Sequence, residues 1–219
     1  MTCQTSVARG PGTWSIAATI MVVVASMWSA GCSNTAAGGG GGEATGARKL
    51  SGVVVEPIPD VSALSLPEAS PAADPFRFVA DDGDLLLVYF GYTACPDVCP
   101  TTLADLKAAL KQLGTPSKQL SIAMATIDPR RDTADVISGY LHSFFPSATA
   151  LRTDDDAALR SVTNAFGASY LTEYPNTGEP RVSHSAYLYV VDDQGHVVLA
   201  WPFGTTAADI ALDLEQLLA

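Results

Sequence analysis

From Ser51 onward, apolar stretches of strand length alternate with segments of helical period. Gly52–Glu56 predicts a first short strand, and the Pro-, Ser-, Ala- and Asp-rich stretch from Pro57 to Pro75 predicts irregular chain. Asp84–Phe90 is a continuous apolar run, as expected of a central strand covered on both faces. Leucines at 103, 106, 110 and 113 then predict a helix that Gly114 and Pro116 stop. Leu120–Ile127 is a second strand, a helix runs to Phe145 before Pro146, and Thr149–Arg152 is a short strand. Asp154–Gly167 predicts a helix whose acidic first turn suits the helix dipole. Ser185–Val191 and His196–Trp201 predict a hairpin through the turn Asp192–Gly195, and Thr205–Leu218 a closing helix. Strands alternating with helices and then a hairpin predict an α/β class with a central mixed β-sheet flanked by helices.

The first part of the chain follows other rules. Arg9 is the only charge ahead of the apolar run Trp14–Ala30, which ends in small residues, the pattern of an export signal over residues 1–31. Ser29-Ala30-Gly31-Cys32 resembles a bacterial lipobox, with Ser29 where leucine is usual; it predicts lipidation of Cys32, an uncleaved signal anchor being the alternative. Residues 32–50, with glycine from 38 to 42, predict a flexible tether, and 51–219 the folded domain. The expected location is the outer face of a bacterial cytoplasmic membrane. Cys3 lies in the part that would be removed.

The chain has 219 residues, 47% apolar and 16% charged, enough for one sizeable core. Its net charge of -11 repels phosphate backbones and anionic lipid, which argues against a nucleic-acid partner and leaves a hydrophobic or lipid anchor as the means of membrane attachment.

Of four cysteines, Cys95 and Cys99 sit where the central strand gives way to a helix. Four residues apart on a helix, two side chains share a face, and the helix N-terminus favours thiolate. Thiolate is both the metal-binding and the disulfide-attacking form, and a soft thiolate pair suits Cu(I), with an imidazole also accommodating Cu(II). Three histidines could join them: His196 in a polar turn, His142 in a helical pattern, and His184 just before a strand, at the sheet end where loops converge. Taken alone, each fits a structural role.

Gly91-Tyr92-Thr93-x-Cys95-Pro96-Asp97-x-Cys99-Pro100-x-x-Leu103, Asp128-Pro129-x-Arg131-Asp132-Thr133 and Val182-x-His184-Ser185 together resemble the Sco (SenC) family, from about Leu66 to the C-terminus. The resemblance implies a thioredoxin-like fold and a copper ion held by Cys95, Cys99 and His184. It also implies a metallochaperone role in assembling the CuA centre of cytochrome c oxidase, with the oxidase copper-site subunit or another copper protein as partner. Ser183 stands where the family usually has Asp before the histidine, a change that would alter the ligand's orientation and basicity. Asp128 and Asp132 match the family pattern but read here as helix caps. The alternative function is a thiol–disulfide oxidoreductase that uses Cys95 and Cys99 as a redox-active disulfide to reduce the oxidase copper-site cysteines. A peroxidase lacks a separate peroxide-activating site, and a closed zinc site would want a fourth ligand.

Overall fold

A computed structural model describes residues 48–219. The expected export signal, Cys32 and the expected tether up to residue 47 lie outside the described residues. In chain order the elements are β1 (Ser65–Pro67), β2 (Pro75–Arg77), β3 (Leu85–Gly91), α1 (Val98–Leu113), β4 (Leu120–Thr126) and α2 (Ala134–Phe144). They continue as β5 (Thr149–Leu151), α3 (Asp156–Ala165), β6 (Tyr170–Glu173), β7 (Arg181–His184), β8 (Tyr187–Val191), β9 (Val197–Pro202) and α4 (Ala207–Leu217). Among the described residues no helix is long and apolar enough to cross a membrane.

The main sheet has five strands in the order β5-β4-β3-β8-β9. β3 runs parallel to β4 and β4 to β5, while β8 is antiparallel to both β3 and β9, so the sheet is mixed as its pattern predicts. Every residue of β3 is buried. Its side chains alternate between two cores, as strand period requires. Leu85, Leu87 and Tyr89 join Leu103 and Leu106 of α1, Ile137 and Leu141 of α2, and Ile210 and Leu214 of α4. Leu86, Val88 and Phe90 face the other way, onto Leu159 and Val162 of α3, with Phe166 just beyond it. The result is a thioredoxin-like α/β sandwich.

Helix starts follow the capping rules in three cases of four. Thr133, Asp155 and Thr206 each accept backbone N–H groups of the following turn at α2, α3 and α4. Asp97 at α1 makes no such bond.

Several local expectations change. Gly52–Glu56 forms no strand; Val53 makes an isolated bridge to Ala200 instead. The stretch expected to be irregular contains β1 and ends at the first residue of β2, with which β1 makes a pair three residues long. Residues 170–184 hold a separate antiparallel hairpin, β6–β7, that the apolar pattern did not mark. The turn Asp192–Gly195 is as expected, and Gly195 is required there: φ is +80° and a Cβ would lie 2.6 Å from that of Ser62.

The packed body already includes Arg48 and Leu50. Leu50 packs against the helix-side core, and the wholly buried Asp213 of α4 accepts from Arg48, from the Ser51 and Gly52 amides, and from the Trp201 indole.

Candidate metal centre

The loop leaving β3 carries Cys95, and α1 begins after it. Cys95 therefore precedes the helix and Cys99 lies in its first turn. This corrects the expectation of two cysteines on one helical face. The Cys95 amide donates to the Tyr92 carbonyl (3.3 Å), curling the loop back, and the Cys95 sulfur then accepts the Cys99 N–H at 3.3 Å. A sulfur thus takes an N–H at the helix terminus where Asp97 supplies no cap. Pro96 lies before α1.

The two thiols differ sharply. Burial works against ionising Cys95, but the Cys99 amide, the Cys99 side chain, the Asp97 amide and Tyr92 together outweigh it and lower the thiol. Cys99 is wholly buried, and that burial pushes it up to about 12 despite help from Tyr89 and Tyr92. Both are free thiols.

Room for Cys99 comes from Gly91. A Cβ there would stand 2.7 Å from Tyr89 Cε1 and 3.0 Å from Cys99 Sγ, so only glycine leaves the tyrosine and the sulfur in place. The family motif includes this glycine, but its role of making room for the sulfur is visible only in the fold.

His184 closes β7, where it pairs with Tyr170. Its Nδ1 lies 3.0 Å from the Ser185 carbonyl. A carbonyl only accepts, so Nδ1 carries the proton and Nε2 keeps its lone pair. Nε2 points at Cys99 Sγ, 3.9 Å away. Burial lowers the histidine below its ordinary range, partly offset by the Ser185 carbonyl, so the ring is neutral at pH 7. Tyr89 and Tyr92 press on it edge-on from 6.3 and 6.1 Å. Cys95, His184, Tyr92 and Ser183 line one shallow pocket open to solvent. Ser183 itself is exposed and sits opposite Leu171 in the hairpin.

Among the described residues no three His, Cys, Asp or Glu side chains already stand at metal-holding spacing. The structure unites Cys99 with His184 and aligns Cys95 on the Cys99 amide.

His142 and His196 stay apart from this site. His142 Nε2 lies 3.0 Å from the Ala148 carbonyl, and His196 lies 3.5 Å from the Asp192 carboxylate in its turn.

Asp128 and Asp132 are not caps. Thr133 caps α2, and both carboxylates are wholly buried. Asp132 accepts from the Thr93 amide (3.0 Å), the Thr93 hydroxyl and the Thr126 hydroxyl, tying the cysteine loop to the end of β4. Arg152 fixes the same segment through the carbonyls of Asp132 and Pro129. Asp128 pairs with Arg131 and accepts from the Tyr174 hydroxyl. Their role as supports is hard to read from sequence because key partners are remote: Thr93 lies 39 residues from Asp132, and Tyr174 lies 46 from Asp128.

The SCO1/SenC family model matches residues 74–219. The chain belongs to that family. It is 34% identical over 115 residues to a SCO2-like protein of Rickettsia felis, covering 52% of this chain and 56% of that protein. The solution structure of apo Sco1 from Thermus thermophilus is 31% identical, with a TM-score of 0.62 over 78% of this chain and 94% of that one. The Bradyrhizobium japonicum ScoI structure with copper bound is 28% identical, with a TM-score of 0.59 over 69% of this chain and 95% of that one. The chain spans 56–64% of the length of the first curated relatives it matches.

Proposed function

We propose that this SCO1/SenC protein binds one copper ion through Cys95, Cys99 and His184 and delivers it for assembly of the CuA centre of cytochrome c oxidase, from a lipid anchor at Cys32 on the outer face of the membrane. The observation that carries the reading is the 3.9 Å between Cys99 Sγ and His184 Nε2, with the imidazole proton on the far nitrogen. Metal–thiolate and metal–imidazole bonds of about 2.3 and 2.0 Å, the values for zinc, meeting near 120° set their donor atoms about 3.7 Å apart. The observed pair needs little movement to match.

Soft sulfur with one imidazole suits copper. Binding releases the thiol protons, which the low-lying Cys95 gives up readily and the buried Cys99 gives up only against the metal. The Ser185 carbonyl orients the ring, and Tyr92 and Tyr89 wall it in. The copper described for the Bradyrhizobium relative supports the same cargo here.

A second reading rests on the inequality of the thiols. Cys95 as thiolate could attack a partner's disulfide, displacing one partner thiolate and forming a mixed disulfide. Cys99 would then attack Cys95, freeing the second partner thiolate and leaving a Cys95–Cys99 disulfide. That chemistry needs no imidazole. The decisive experiment is His184→Ala in cells, scored for copper in the purified chain and for oxidase activity. Loss of both supports delivery of copper. An active oxidase in that strain rejects delivery in favour of thiol exchange. Replacing Cys32 with Ala should release the chain from membranes, and retention would point to an uncleaved anchor.

A further inference from the structure

The helix-side core contains two tyrosine hydroxyls that are buried and have no hydrogen-bond partner among the described residues: those of Tyr89 and Tyr140. A buried hydroxyl left without a partner costs about 1–3 kcal/mol. Tyr89 is otherwise a core residue, 1% exposed at the heart of β3. Its ring edge meets Gly91 beside the Cys99 sulfur, and the ring packs roughly perpendicular to that of His184. The hydroxyl is close enough to Cys99 and to Thr102 to be influenced by both, yet it is aligned on neither. Phenylalanine would fill the same apolar space, so packing does not explain the oxygen.

Chemistry at the sulfur does explain it. A thiol is a weak acceptor, whereas a thiolate is a strong one. The hydroxyl is thus an unpaired buried donor beside a sulfur that becomes a strong acceptor when it ligates a metal. Resting on the copper reading above, we infer that Tyr89 is a positioning residue whose hydroxyl donates to the Cys99 sulfur once copper is bound, steadying the thiolate and tuning the metal–sulfur bond. Donation to a ligating sulfur draws electron density from it, which shifts sulfur-to-metal charge transfer and the balance between oxidation states. Tyr140, on α2, feels the same two cysteines and Asp132 through space without a hydrogen bond to either sulfur, so it serves as the internal control.

The test uses Tyr89→Phe and Tyr140→Phe in the 219-residue chain, each loaded with Cu(II) and, separately, with Cu(I) against a competing chelator. Tyr89→Phe should move the sulfur-to-copper charge-transfer band and weaken copper retention about 10-fold, the scale of losing a hydrogen bond behind a metal ligand. Its metal-free melting temperature should stay level or rise, because the change removes an unpaired buried hydroxyl. Tyr140→Phe should leave the band where it is. An unmoved band and unaltered retention in Tyr89→Phe, with copper bound normally by the unsubstituted chain, would overturn the inference alone. So would a fall in the metal-free melting temperature that accounts for the weaker retention, since that marks a structural hydroxyl. If the unsubstituted chain takes no copper, the copper reading falls and takes this inference with it.

Discussion

Cys99 enters the site from a sixteen-residue helix packed under the central strand, with Leu103 and Leu106 of the same helix wholly buried. His184 enters from a four-residue strand that pairs with β6 in a two-stranded sheet outside the main one. The sulfur side is also tied from below, where Asp132 grips Thr93 and Thr126 in full burial. The nitrogen side is tied through its hairpin: the Ser185 amide to the Ser169 carbonyl and the Ser169 amide to the Ser185 hydroxyl, each at 2.9 Å, the Thr172 hydroxyl to the Ile127 carbonyl at 3.0 Å, and the Tyr174 hydroxyl to Asp128. Cys99 thus sits in a helix packed in the main core, whereas the imidazole sits on a two-stranded hairpin of whose eight strand residues only Tyr170 is buried. Low local stability is the property expected of an element that must move. On the proposed copper-delivery reading, that division would let the histidine move relative to Cys99.

The sulfur side is where the largest change should follow substitution. Asp132→Ala strips the acceptor from three donors around the cysteine loop and should cost about 3 kcal/mol of stability. Denaturant unfolding measures it, and a loss below about 1 kcal/mol would show that the loop is held by other means. Gly91→Ala comes next. The new methyl must displace Tyr89, Cys99 or Met124, an overpacking that costs about 1–3 kcal/mol, and copper uptake should fall with it. Unchanged melting and uptake would mean that the strand end has room the close contacts deny. On the nitrogen side, Ser185→Ala should cost only about 1 kcal/mol yet speed copper release measurably in a chelator-transfer assay. Equal release rates would remove the movable arm from the comparison.

The smallest expected effect is in pH. The folded histidine lies below the ordinary value near 6.5, so the unfolded chain binds that proton more readily. His184's contribution is therefore fully present above about pH 6.5 and is lost as pH falls through the lowered folded value. Melting curves of the unsubstituted chain and of His184→Ala should diverge in that window. Parallel curves would place the titrating group elsewhere.

Much of the main sheet is legible in the sequence, because β3, β4 and β8 are apolar runs bounded by turn residues. The hairpin that carries His184 is not. In β6, Tyr170 is buried while Leu171 points outward and is half exposed, so the apolar residues do not mark the covered face. β7 shows only one apolar residue, Val182. The cysteines and histidine could be named from spacing and family likeness, but how the thiols converge could not. Spacing of four implies one helical face, whereas the loop turn at Tyr92–Cys95 does the work before the helix starts. Asp132 and Tyr89 were hidden for opposite reasons. A carboxylate after a strand looks like a cap, and a tyrosine inside an apolar run looks like core.

X-ray absorption at the copper edge on the loaded chain tests the proposed ligand set most directly. Binding by Cys95, Cys99 and His184 predicts two sulfur neighbours and one imidazole nitrogen, with the imidazole signal lost in His184→Ala and the sulfur signal reduced in Cys95→Ser and in Cys99→Ser. A copper shell without sulfur, or an imidazole signal that persists in His184→Ala, would contradict it.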